Sequence, residues 1–249
     1  MKEKKVRNYV FERLYDNPLL KKHISRSSIL LITEEYNIWD IIVLFPDNIF
    51  SQHIARKVGE CFVIDDHDHK PWVFTRIKDY KWLRRDFSRR ISIALWLFSN
   101  ALIVQDEDSI FSDILTEQLT RFYELIPKLL ALKYIEFRSE RHNLRYASIE
   151  KRLLASRIIR ATIVKLSLEI CFLSERKPYP YKMLLPERSL VETANGIEVL
   201  QIGERFLNAE NDELIIELSE NLVRKIVSVL KNTKMFSDSW LDNWWLHLT

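Results

Sequence analysis

Three glycines, Gly59, Gly196 and Gly203, serve a chain of 249 residues. Phosphate cradles made of backbone, such as the P-loop and the dinucleotide fingerprint, need several glycines at short fixed spacing, because only a residue without Cβ lets the main chain approach so closely. No such string occurs. Phosphate chemistry in this chain must therefore use side chains, metal ions or helix ends. The rest of the composition describes a soluble globular protein with a sizeable core: 47% of residues are hydrophobic and 29% charged. The 38 basic and 35 acidic residues leave a net charge of +3, a mixed surface that selects no polyanionic partner by itself. Cys61 and Cys171 match no metal or redox spacing and read as reduced, buried small hydrophobes. The opening "MKEKKVRNYVFERLYDN" reads as a charged amphipathic helix, and no window approaches the roughly 18 apolar residues of a membrane span. A cytoplasmic protein with no membrane partner is the expectation.

Periodicity divides the chain into a mixed α/β part over 1–105 and a helical part over 106–249. Ile29–Ile32 and Ile41–Phe45 are nearly continuous apolar runs, suited to neighbouring buried strands. "SQHIARKVG" reads as a short helix with Ser51 as N-cap and Gly59 at its end. "ECFVIDD" and "PWVFTRI" read as two further strands around the polar turn "DHDHK". From about Arg85 the period becomes helical: Phe87, Ile91, Ala94, Leu95, Phe98 and Leu102 share one stripe. "QDEDS" interrupts it, a second helix runs to about Tyr134 with a kink expected at Pro127, and a third spans Ala147–Leu173. "ERKPYPYKMLLP" breaks that helix, and Leu214 to Leu230 marks a last long one. The expected fold class is an α+β sheet domain followed by an α-helical bundle.

Four strings carry a family resemblance: "WDIIVLFPD" (39–47), "ALWLFSNALIVQDEDSIF" (94–111), "KPYPYKMLL" (177–185) and "LKNTKMFSDSW" (230–240). Together they resemble the DNA polymerase beta-like nucleotidyltransferase superfamily. The nearest likeness is to bacterial proteins that pair a minimal nucleotidyltransferase domain with a helical C-terminal domain. The resemblance implies transfer of a nucleoside monophosphate from a nucleoside triphosphate to a small hydroxylated molecule or a protein. It also implies Mg²⁺: two ions clamp the triphosphate, and hard cations take carboxylate oxygens. Asp40 matches the first carboxylate, and Asp65 or Asp66 is the candidate for another from a neighbouring strand. Position 42, two residues on and on the same face of the strand, is isoleucine where the family carries aspartate. The family's upstream Gly-Ser is replaced by "ITEEY", with Thr33 standing in for the serine. The resemblance further implies that Lys182 faces the triphosphate from the helical domain; Tyr179 and Tyr181 beside it carry rings suited to stacking on a base, although tyrosines next to prolines are more often packing residues.

Other clusters have plainer readings. "DDHDH" (65–69) has the composition of a transition-metal site but the placement of a solvated hairpin loop. "RSERHNLRY", with Arg138 and His142 one helical turn apart, reads as a solvated helix end. "KDYKWLRRDFSRR" (78–90) interleaves basic and aromatic residues as a nucleic-acid groove does, though Asp79 and Asp86 dilute its charge and nucleic acid is not the favoured partner. The tail "SWLDNWWLHL" docks on the bundle or joins a homo-oligomer. Two functional classes stay open: an active nucleotidyltransferase, and a pseudoenzyme of that fold acting as a regulatory or binding module for a nucleotide, a protein or nucleic acid.

Overall fold

The protein, described by a computed structural model over residues 2–35, 37–59 and 62–247, begins with helix α1 (Lys2–Tyr9), which runs on as a π-helical turn over Val10–Leu14. A 3₁₀ turn at Ile24–Arg26 leads into strands β1 (Ser28–Glu35) and β2 (Ile38–Phe45). The chain then forms α2 (Asp47–Ile49), a π turn at Phe50–Ala55 and α3 (Arg56–Val58). Strands β3 (Phe62–Asp66) and β4 (Trp72–Asp79) follow, then α4 (Tyr80–Ser99) and β5 (Leu102–Gln105). The remainder is helical: α5 (Ile110–Ile149), α6 (Leu153–Ser174), α7 (Leu185–Glu192), α8 (Gly196–Asn208), α9 (Asp212–Thr233), α10 (Asp238–Asp242) and a closing 3₁₀ turn at Trp244–His247. Two compact units result, Met1–Arg121 and Phe122–Thr249, and the division falls within α5.

The first unit is built on a five-stranded sheet in the order β3-β4-β2-β1-β5. Strands β2 and β4 run parallel, and the other three pairings are antiparallel. The unbroken apolar run in β2 has a physical reason. Trp39, Ile41, Val43 and Phe45 join a core with Val6, Val10, Leu14 and Ile24 on one side of the sheet. Ile42 and Leu44, on the other side, are equally buried. A strand covered on both faces has no polar alternation to show. The second unit is a helical assembly in which α6 packs against α7, α8 and α9. Gly203 permits one of those approaches, since a Cβ there would lie 2.9 Å from Val164 Cγ1 on α6.

Several local expectations are corrected. Ser51 caps no helix; the turn begins at Asp47 after Pro46, and Ser51 lies inside the π turn, while Gly59 does end the segment at φ +81. Leu102 continues the helical stripe only in sequence. Helix α4 stops at Ser99, and Leu102 opens β5, which pairs with β1. Helix α4 also starts earlier than the apolar stripe suggests, because the Asp79 carboxylate accepts the Trp82 backbone N–H at 2.7 Å and caps it. Pro127 sits inside α5, which continues past Tyr134 to Ile149. The next helix begins at Leu153, after Lys151 adopts φ 52. Arg138 and His142 therefore lie within a helix and not at its end; the Arg138 guanidinium donates to the Tyr134 hydroxyl at 2.7 Å. Among the described residues no helix is long and apolar enough to cross a membrane. Cys171 is buried and free, with its thiol pushed up to about 12 by burial; Cys61 lies outside the described residues.

Candidate functional site

Asp40 opens the buried stretch of β2, and its side chain leaves the core side of the sheet because Trp39 and Ile41 point into it. Two residues on, Ile42 shares the Asp40 face and is 1% exposed. Strand β4 runs parallel beside β2 with Asp40 opposite Phe74 and Ile42 opposite Arg76. That register sets Arg76 one step along the strand from Asp40, within reach of its long side chain. The guanidinium donates twice, Nε to Oδ1 at 3.1 Å and Nη2 to Oδ2 at 2.7 Å. Both partners are about three-quarters buried, at 28% and 23% side-chain exposure. Burial raises the Asp40 pKa above the usual carboxylate range, and the charge and hydrogen bonds of Arg76 pull it back only in part.

Residues paired across neighbouring strands face the same way, so Thr33, Asp40, Phe74 and Asp65 form one row across β1, β2, β4 and β3. Asp40 and Asp65 thus share a face, yet two strand spacings of roughly 4.8 Å each separate them and Phe74 stands between. Asp66 pairs with Val73 and points to the opposite, core side. Each carboxylate has its own partners. Asp65 accepts the Trp72 indole N–H at 2.5 Å and lies 3.0 Å from His67 Nε2. Asp66 accepts the His69 backbone N–H at 3.2 Å and lies 4.0 Å from Arg13. Asp66 also helps burial push the Tyr9 hydroxyl up to about 12. Among the described residues no three His, Cys, Asp or Glu side chains gather as a metal-ligand set.

The "DHDHK" turn is a hairpin loop between β3 and β4, with His67 stacked on Trp72 at 4.5 Å and His69 edge-on to Tyr9 at 4.8 Å. Tyr181 and Lys182 belong to the second unit, in the segment between α6 and α7. Lys182 is exposed, and it does not begin a helix, since α7 starts at Leu185. Of the C-terminal tryptophans, Trp240 stacks on Phe236 at 4.5 Å and Trp244 lies 5.5 Å from the Arg138 guanidinium, while Trp245 remains 50% exposed.

Arg76 and its neighbours on β4 escape a motif-based reading. The signal that finds them is alternation: Trp72, Phe74, Arg76 and Lys78 recur every second residue and share the Asp40 face. None of the four is fully buried. A crevice of about 460 Å³ lies at the carboxyl ends of β2 and β4, walled by Lys78 together with Phe50, Ala55 and Asp79, the place where sheets with parallel strands commonly receive ligands. Lys78, Lys81, Arg85 and Trp82 line it. Its two carboxylates are engaged by backbone: Asp47 accepts the Lys81 N–H at 2.9 Å, and Asp79 caps α4.

No protein-family model matches the chain, and no curated protein is detectably similar to it in sequence. Among solved structures it is similar to a nucleotidyltransferase-like protein from Exiguobacterium sibiricum 255-15, with a TM-score of 0.53 and 11% identity. The likeness spans 92% of this chain and 78% of that one. At that identity the likeness speaks for the fold alone.

Proposed function

We propose that this protein is a nucleotidyltransferase-fold binding module that takes up a nucleotide without transferring its nucleoside monophosphate. The observation that carries the reading is the Arg76–Asp40 pair. A two-metal transfer site needs carboxylates converging on the cations. Here the nearest candidate second position is the buried Ile42, and both oxygens of Asp40 accept hydrogen bonds from a guanidinium. A guanidinium neutralised by both Asp40 oxygens ties up the carboxylate a metal would need, and it cannot activate an acceptor oxygen by coordination. The neighbouring groups suit a nucleotide. Trp72 and Phe74 offer partly exposed rings for a base, and Lys78, Lys81 and Arg85 offer ammonium and guanidinium donors for phosphates.

Calorimetric titration with ATP, once with Mg²⁺ and once with EDTA, tests the reading beside a transfer assay using α-labelled ATP and cell extract as acceptor source. Binding that is insensitive to EDTA, weakened by Arg76→Ala and unaccompanied by labelled product supports it. Transfer of label that depends on Asp40 would overturn it and make the chain an active nucleotidyltransferase.

A further inference from the structure

The second unit contains a cavity of about 690 Å³ where the end of α5 and the start of α6 meet the α8–α9 turn. That volume lies in the range of small-molecule sites. Its floor is unusual. Arg160 on α6 lines it while only 7% exposed, and its Nη1 donates to the carbonyls of Phe206 at 3.0 Å and Ala209 at 2.7 Å. Those two bonds close the C-terminal end of α8 and hold the guanidinium fixed. The Arg160 Nε is also buried, and it has no hydrogen-bond partner. The Ser148 hydroxyl, on the α5 side of the same cavity, is likewise buried and unpartnered. Buried donors left unpaired cost free energy, and both residues belong to the wall of this one cavity.

The rim favours an anion. Lys151, Arg152 and Arg157 are exposed around the mouth, and with Arg160 they outnumber the two carboxylates, Glu210 and Asp212. Arg152 shares its charge with Glu150 at 3.8 Å, an exposed pair that solvent screens. An excess of two cations matches a phosphate monoester, which carries about −1.5 to −2 at neutral pH. Burial and the nearby Arg157 act against the charge on Arg160, and Asp212 in the same wall partly supports it. Leu207 and Ile215 supply apolar wall for the organic part of a ligand.

The geometry points to a binding site for a small phosphorylated molecule in this cavity, with the phosphate held among Lys151, Arg152, Arg157 and Arg160 beside Ser148. The inference is independent of the nucleotide reading of the sheet, because every residue in it belongs to the helical unit. A nucleic-acid backbone is the less suitable occupant, since the key guanidinium lies on the cavity floor and not on an open surface.

The test is calorimetric titration of the full chain with glycerol 3-phosphate, inorganic phosphate, succinate and glycerol, and separately with a single-stranded oligonucleotide. Saturable binding of the two phosphates, with none of glycerol and weaker binding of succinate, is expected. Arg157→Ala, an exposed change that leaves α8 capped, should weaken phosphate binding by roughly ten- to a hundredfold, the reach of one charge-assisted hydrogen bond. Ser148→Ala should weaken it by a smaller factor. Arg160→Lys removes the Nε donor; circular dichroism establishes that it folds, and loss of binding in a folded variant supports the site. No saturable phosphate binding by the unaltered chain, or binding indifferent to Arg157→Ala and Ser148→Ala, overturns it. Oligonucleotide binding stronger than that of glycerol 3-phosphate and lost in Arg157→Ala also overturns it, in favour of nucleic acid.

Discussion

The Arg76 guanidinium grips both carboxylate oxygens of Asp40 from the adjacent parallel strand, at 3.1 and 2.7 Å. Arg76→Met should leave that carboxylate largely buried without its cation and lower stability at neutral pH by about 1–3 kcal/mol. The pH dependence has a definite sign. Burial raises the Asp40 pKa against the pull of Arg76. A carboxyl whose folded pKa exceeds its unfolded value favours the fold at low pH, and that contribution is lost as pH rises through the folded value. Removing Arg76 raises the Asp40 pKa further. The deficit of the variant should therefore shrink as pH falls, and urea midpoints measured across the acid-to-neutral range check it. A deficit that ignores pH would mean the arginine contributes by packing alone.

Ile42→Asp rebuilds the Asp-x-Asp string in sequence, but the position is 1% exposed in a strand buried on both faces. A carboxylate buried there, beside an Arg76 already engaged by Asp40, should cost upwards of about 3 kcal/mol. Thermal melting should show a large loss at neutral pH that narrows in acid, where the new group is neutral. A protein that melts unchanged, with new Mg²⁺ binding, would place side chain 42 in a solvated cleft.

Asp106, just after β5, accepts the Ser28 hydroxyl at 2.5 Å, the Ser112 hydroxyl at 2.7 Å, and the Ser112 and Phe111 backbone N–H groups at 3.0 and 3.2 Å. Burial works to raise its pKa, and these donors outweigh burial and hold it below the usual range. Its stabilisation is present above the unfolded carboxylate pKa and is lost as pH falls through the folded one. Asp106→Ala should cost about 1–3 kcal/mol at neutral pH and flatten the acid limb of the stability profile. Chemical denaturation at a series of pH values reads both effects.

Glu169 on α6 is 2% exposed and lies 2.8 Å from both Lys133 and Lys165. Burial disfavours the Lys133 ammonium, yet the Glu169 carboxylate holds its pKa above the ordinary lysine value. Lys133→Met should destabilise the helical unit by about 2 kcal/mol, less than the ~3–5 kcal/mol of a fully broken buried pair because Lys165 remains. The double variant with Glu169→Gln should recover part of the loss. A double-mutant cycle with no coupling would show that the two charges stand apart in solution.

How far each element could be read from sequence follows from the range of the interaction that sets it. Strands β1 and β2 are legible because two covered faces leave an uninterrupted apolar run. Helix α9 is legible because one covered face leaves a clean stripe through Leu218, Leu222, Ile226 and Val229. Strand β5 is not: four residues span barely one helical turn, and Leu102 continues the α4 stripe until its pairing with β1 decides the matter. Asp40 is identifiable as the first candidate carboxylate. Its partner is not, because Arg76 reaches it only through the parallel register of β2 and β4, which no local string encodes. The cavity on Arg160 is still further from view, since helix ends separated by dozens of residues assemble it.

Sheet order also governs the timing of synthesis. Strand β1 finds β2 at once as a hairpin, but its other edge waits for β5, with Ile29 pairing to Gln105. β2 likewise waits for β4, the partner on its far side. A ribosome extending the chain at about 5–20 residues per second therefore holds a two-stranded apolar ribbon with both edges open for several seconds. Such edges invite pairing with other nascent chains. The wait ends only when β5 emerges, dozens of residues after β2, and Asp106 can tie Ser28 to the start of α5. A stalled chain truncated before Leu102 should be more prone to aggregate than one released after Ser112.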